Sequence, residues 1–200
     1  MLQFIFPILL LFTSSTSAGN EKRLVILGDS LSEGYGVATQ ASYPFLLQNQ
    51  IQKAGKNWKV VNASISGSTT ASGPGRLRWQ LKSKPDLILL ELGANDGLRG
   101  LEPSKMEQNL EQVLIECKKE QIPVILAGMK MPLNYGKEYR AKFEAVFPRL
   151  AKKYQVQLIP FFLDGVAGHS SFNQSDGIHP NEKGHQILAE KIYQHLKDRL

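Results

Sequence analysis

Short apolar runs alternate along this chain with longer stretches in which apolar residues recur every three or four positions. The runs at 24–27, 59–62, 87–92, 124–127 and 157–159 are rich in Val, Ile and Leu and read as strands. Residues 43–54, 70–81, 104–120, 138–154 and 182–196 read as helices. In the third of these, Leu110, Val113, Leu114 and Cys117 share one face, and Ser104 three positions ahead of Glu107 predicts a capping box. Pro85 and Pro123 stand where the chain must leave a helix for a strand. Apolar strands joined by helical crossovers predict a parallel sheet covered on both faces. The expected fold is α/β, a three-layer α/β/α domain with a five-stranded parallel sheet and five helices. No repeat, low-complexity run or linker divides it.

The first residues stand outside that pattern. An apolar centre at 4–12 is followed by the small-residue run Thr13-Ser14-Ser15-Thr16-Ser17-Ala18 and then by charged Glu21-Lys22-Arg23. Residues 1–18 therefore read as a signal peptide cut after Ala18, with one domain over 19–200 that is exported to a periplasm or secreted. The apolar centre is too short to span a bilayer comfortably, and no Lys or Arg precedes it, so an uncleaved anchor stays open. Cys117, the single cysteine, cannot form an internal disulfide and reads as a buried core residue. The net charge of +6 is spread over many helical faces. Without a basic block interleaved with aromatics, nucleic-acid binding has no support. What the charge allows is weak, salt-sensitive attraction to an anionic substrate or membrane surface. Nothing in the pattern demands assembly, and a monomer is expected.

In an open α/β sheet the loops at the carboxyl ends of the strands hold the site. Here they carry Asp29-Ser30, Ser64-Ile65-Ser66-Gly67, Gly93-Ala94-Asn95-Asp96, and the segment from Met129 to Tyr135. Ser30, where a strand turns into a helical turn, exposes a hydroxyl beside free backbone N–H groups. Gly28-Asp29-Ser30-Leu31-Ser32 is not the Gly-x-Ser-x-Gly elbow, because Ser32 occupies the second glycine position. Serine needs a base, and His179 is the candidate, with Asp176 three residues ahead placed to accept its Nδ1–H. His169 and His195 have no acid at that spacing, and His185 and His195 fall on the terminal helix, where they read as surface or packing residues. Asp29 with Ser30, and Asp176 with His179, also suit plain capping and turn roles. An oxyanion hole would draw on the Ser30 N–H, the Gly67 N–H and the Asn95 side-chain amide. Leu31, Leu98, Met131, Leu133, Tyr135 and Ile178, with Met129, are candidates for an apolar acyl-binding side, and read equally well as core.

Gly28-Asp29-Ser30-Leu31, Gly67, Gly93-x-Asn95-Asp96 and Asp176-x-x-His179 resemble, in order, the four blocks of the SGNH (GDSL) hydrolases. The resemblance covers nearly the whole chain after the leader. It is greatest to the secreted thioesterase-I, arylesterase and lysophospholipase branch, through Gly93 to Gly100, Met131 to Gly136, Gly165 to Gly168 and Asn173 to Asn181. It implies a flavodoxin-like sheet, Ser30 as nucleophile, His179 as base then acid, and Asp176 as its orienting partner. It also implies Gly67 and Asn95 beside the Ser30 N–H in the oxyanion hole, no metal or other cofactor, and small ester, thioester or lysophospholipid substrates. Ser68 stands where that branch often has Asp, which puts the hydrogen bonding of the Gly67 loop in question. Asp96 belongs to the third block and is expected to organise its own loop.

Two other readings stay open: a carbohydrate or peptidoglycan O-acetylesterase using the same parts, and a silent binding module on the same scaffold.

Overall fold

The computed structural model describes residues 20–200, and the expected signal peptide lies outside the described residues. The strands are β1 (Lys22–Leu27), β2 (Trp58–Asn62), β3 (Leu87–Leu90), β4 (Val124–Ala127) and β5 (Gln157–Ile159). The helices are α1 (Ser30–Glu33), α2 (Tyr43–Lys53), α3 (Gly73–Leu81), α4 (Ala94–Leu98), α5 (Pro103–Lys119), α6 (Lys137–Glu144), α7 (Val146–Tyr154) and α8 (Glu182–Leu196). All strand pairs are parallel, in the order β2-β1-β3-β4-β5. α2 packs against α8, while α3, α5 and α7 pack in a row. The residues of β3 and β4, and Leu24–Leu27 of β1, are buried. The expected fold class is the observed one.

Four local expectations change. The stretch 70–81 splits into a 3₁₀ turn, Thr70–Ser72, and α3, because Pro74 lacks an N–H and suits only a first turn. The stretch 138–154 breaks at Ala145 into α6 and α7. Pro148 cannot donate to Glu144, and its ring crowds that carbonyl. The capping box does not form: α5 starts at Pro103 after Glu102, without a side-chain cap, and Glu107 binds Arg149 at 2.6 and 2.7 Å. The short helices α1 and α4, which follow β1 and β3, have too few residues to show a periodicity. Cys117 is buried as expected, and burial pushes its thiol up to about 12.

β1 and β3 sit side by side in the sheet and end level, with Leu27 opposite Leu90. Their loops must therefore emerge next to each other. The strand order reverses between β1 and β3, since one crossover leads to β2 on one side and the others lead away on the other side. That reversal opens a crevice at the carboxyl edge.

Candidate active site

Ser30 is the first residue of α1, directly after Asp29 caps that helix with a carboxylate oxygen 3.0 Å from Leu31 N. The N–H of Ser30 is a first-turn amide with no acceptor inside its own helix. Gly28 precedes this turn because a side chain would collide there. A Cβ would stand 2.6 Å from both Glu91 Oε2 and the Ser32 Cβ.

His179 lies on the loop between β5 and α8. The loop is tied down by an antiparallel bridge between Asn173 and Pro180 and by Asn181, whose Oδ1 caps α8 at Gly184 N, 3.1 Å away. Asp176 Oδ1 accepts from the N–H groups of Ile178 (2.9 Å) and His179 (3.0 Å), and its Oδ2 lies 2.6 Å from His179 Nδ1. His179 Nε2 is 2.9 Å from Ser30 Oγ. With Nδ1–H donating to Asp176, Nε2 is left as the acceptor for the serine hydroxyl. Desolvation pushes the Asp176 carboxyl up, but the hydrogen bonds from His179 and Ile178 outweigh it and pull it down to about 2. It is therefore a carboxylate at neutral pH. The Tyr35 ring lies against the imidazole, with centroids 4.6 Å apart.

Gly67 has φ +74°, a conformation in the left-handed region that favours glycine, and its carbonyl accepts from Arg99 at 2.9 Å. Ser68 does not disturb this turn; its N–H donates to Ile65 O at 3.2 Å. Asn95 lies in the first turn of α4, and its Nδ2 donates to Asp29 Oδ2 at 3.1 Å. Asp96 is turned inward and accepts from Thr70 N (2.8 Å) and Thr70 Oγ1 (2.6 Å), tying the loops after β2 and β3 together. It organises its loop, as expected. His185 is buried, accepts from Tyr43 N through Nδ1 at 3.2 Å, and is pushed down to about 4 by that burial. His169 is exposed.

A cavity of about 480 Å³ opens beside Ser30 and His179, within the usual range for small-ligand sites. Leu31, Leu98, Met131 and Ile178 line it, as does Met129. Leu133 and Tyr135 do not, which corrects the sequence reading. Leu133 is 80% exposed, and the Tyr135 hydroxyl is taken up by a hydrogen bond to Leu98 O at 2.9 Å. Both sit in a 3₁₀ turn following Pro132, and that turn leads the chain out of the cavity wall. Phe161, Leu163 and Ala167 are lining residues that the sequence reading missed. They follow β5, so the rule used for the first four strands would have reached them.

Among the described residues, no group of three or more His, Cys, Asp or Glu could hold a metal ion, and no helix is long and apolar enough to cross a membrane.

Residues 26–187 match the model of the GDSL-like lipase/acylhydrolase family. The chain is 41% identical over 197 residues to thioesterase 1/protease 1/lysophospholipase L1 of Escherichia coli (strain K12), covering 98% of this chain and 91% of that protein. It is 39% identical over 197 residues to an arylesterase of Vibrio mimicus, covering 98% of each. The crystal structure of TesA superposes with a TM-score of 0.86 at 40% identity, covering 90% of this chain and 100% of that one. The chain belongs to the GDSL-like lipase/acylhydrolase family.

Proposed function

We propose that the protein cleaves its substrates through an acyl-serine intermediate, with Ser30 as nucleophile, His179 as general base and then acid, and Asp176 as the group that orients the imidazole. That the chain is an ester and thioester hydrolase follows from its family and its relatives. The observation that carries the proposed roles is the unbroken line of contacts from Asp176 Oδ2 to His179 Nδ1 (2.6 Å) and from His179 Nε2 to Ser30 Oγ (2.9 Å). The line ends at the mouth of a mostly apolar cavity.

In acylation, Ser30 Oγ attacks the acyl carbon as its proton passes to His179 Nε2. The carbonyl oxygen becomes an oxyanion, for which the Ser30 N–H, the Gly67 N–H and the Asn95 amide are the donors in this reading. Such donors are each worth a factor of about 100 to 1,000 in rate. Collapse breaks the ester or thioester bond, and the leaving alkoxide or thiolate takes the proton held on Nε2. Water then attacks the acyl-serine, gives its proton to Nε2, and the Ser30 hydroxyl is restored as the acid leaves. No cofactor takes part in these steps. The acyl chain would lie along Leu31, Leu98, Met131 and Ile178.

Small esters, thioesters and lysophospholipids are the substrates proposed, on a monomer exported by a leader at 1–18. The basic charge and the exposed Ile178 at the cavity support weak association with a lipid surface. Ser30→Ala should fold and lose at least about 1,000-fold in kcat on a p-nitrophenyl ester; a rate within about tenfold of the unaltered protein would reject the nucleophile. At constant acyl length, turnover of aryl ester, acyl thioester and lysophospholipid then ranks the leaving groups.

A further inference from the structure

We propose that Asp29 is a positioning residue of the oxyanion hole, its single carboxylate setting both the Ser30 turn and the Asn95 side chain. The proposal rests on the catalytic reading given above. Asp29 is fully buried under the nucleophile and is not part of the cavity wall. One carboxylate oxygen accepts from Leu31 N at 3.0 Å, and the other accepts from Asn95 Nδ2 at 3.1 Å. The bond to Asn95 joins the loop after β1 to the loop after β3, and each loop brings one oxyanion donor.

The bond to Leu31 caps α1 one residue beyond Ser30, so the Ser30 N–H remains free of that cap. The bond to Asn95 decides which way its amide is turned. With one amide hydrogen on Asp29, the NH2 faces the site and its second hydrogen remains for the oxyanion; the reverse orientation would offer Oδ1, a negative dipole end, to a developing negative charge. Only a group that accepts on both oxygens can satisfy these two donors together, and an ionised carboxylate is such a group.

The surroundings favour that charge resting on Asp29. Glu91, just past the end of β3, is a second fully buried carboxyl beside Asp29, and burial followed by the nearby Asp29 charge pushes it well above the ordinary range. A protonated Glu91 still accepts on Oε2 from Ser32 Oγ at 2.5 Å and from Asp29 N at 3.3 Å, and Tyr43 OH lies 2.7 Å from the same Ser32 hydroxyl. Arg76, on α3, donates to Gly28 O (2.7 Å) and Ala63 O (2.5 Å) and brings a positive charge to this buried group. Burial pushes Asp29 up, against the Leu31 and Asn95 hydrogen bonds and the His179 and Arg76 charges, to about 6. The groups facing Asp29 are thus Glu91 from the end of β3, Arg76 from α3, His179 from the β5–α8 loop, Tyr43 from α2 and Asn95 from α4.

The experiment is a double-mutant cycle of Asp29→Asn with Asn95→Ala, measured as kcat and KM on one p-nitrophenyl ester at about pH 8. The amide that Asp29→Asn introduces can keep the bond to Leu31 but presents NH2 to the Asn95 amide, which must then turn its oxygen to the site. Expected for Asp29→Asn alone is a loss of about 100- to 1,000-fold in kcat, with KM within about threefold. In the Asn95→Ala background the same change should cost less than about threefold, because its target is already gone. An equal loss in both backgrounds, or a kcat for Asp29→Asn above a third of the unaltered value, would overturn the proposal. The link is also read with Asp29 left intact, should its variant not fold. The acid limb of log kcat should be steeper in the unaltered protein than in Asn95→Ala, by the one proton that Asp29 takes up. Equal slopes would overturn it as well. Ser30→Ala measured alongside separates the two levels: an inactive Ser30→Ala with an additive cycle removes only the role of Asp29.

Discussion

Replacing Asp176 by Asn leaves the shape of the site almost unchanged and reverses one hydrogen bond. Asp176 Oδ1 serves the Ile178 and His179 N–H groups at 2.9 and 3.0 Å, and Oδ2 serves His179 Nδ1 at 2.6 Å. An amide whose oxygen stays on the two backbone donors turns its NH2 toward Nδ1. Nδ1 must then accept, so the ring proton moves to Nε2, which lies 2.9 Å from Ser30 Oγ. That nitrogen can no longer take the hydroxyl proton. A wrong tautomer in a triad of this kind costs about 10⁴ in kcat, or about 5.5 kcal/mol of barrier. Here the Asp176 side chain is 39% exposed, so water can relieve part of the mismatch, and a loss of about 10³ to 10⁴ is expected. Steady-state hydrolysis of a p-nitrophenyl ester measures it, with thermal melting to show that the turn is kept. An Asp176→Asn enzyme with more than a tenth of the normal kcat, at unchanged melting temperature, would refute this account of how the imidazole is held.

Three further outcomes follow from the packing and the charges. Phe143 is fully buried among Tyr139 and Phe147, and Phe143→Ala should cost about 3–5 kcal/mol in urea unfolding; a loss below about 1 kcal/mol would contradict the packing. Glu91 is held well above its ordinary value of 4.5, so its burial costs stability once the pH exceeds that value, and the cost grows as pH rises toward the folded value. Glu91→Gln should therefore raise the melting temperature more at about pH 8 than at about pH 4, and the opposite trend would mean that Glu91 is buried as a stabilised carboxylate. Ala167 lines the cavity, and Ala167→Trp should shorten it: kcat/KM for an octanoyl ester falls at least about tenfold, from about 0.8 kcal/mol for each methylene excluded, while an acetyl ester stays within about threefold. Equal effects on both esters would place the acyl chain elsewhere.

The central strands were legible because they are buried on both faces and leave continuous apolar runs in the sequence. The residues that meet at Ser30 were legible for a different reason: each follows a strand or precedes a helix, where Gly, Asn, Asp and Ser stand out. What periodicity could not reach is the arrangement behind them. Glu91 reads as part of the run 87–92, yet its side chain leaves the ladder to bind Ser32 and the Asp29 turn. A charge inside an otherwise apolar run was the available signal. Arg76 looks like an ordinary residue of α3, and only the fold shows that its guanidinium reaches the carbonyls of Gly28 and Ala63. Leu133 and Tyr135 show the converse. Apolar character near a site does not say which way a short turn will carry a side chain, and Pro132 starts a turn that carries these two away.

An activated serine is the claim on which the rest depends, and a fluorophosphonate reacts with such a serine as a covalent trap. Intact mass followed by peptide mapping of the folded, active protein should show one adduct per chain, on the peptide that contains Ser30, and none on the Ser30→Ala variant. No adduct, or an adduct carried by another residue, would contradict the account.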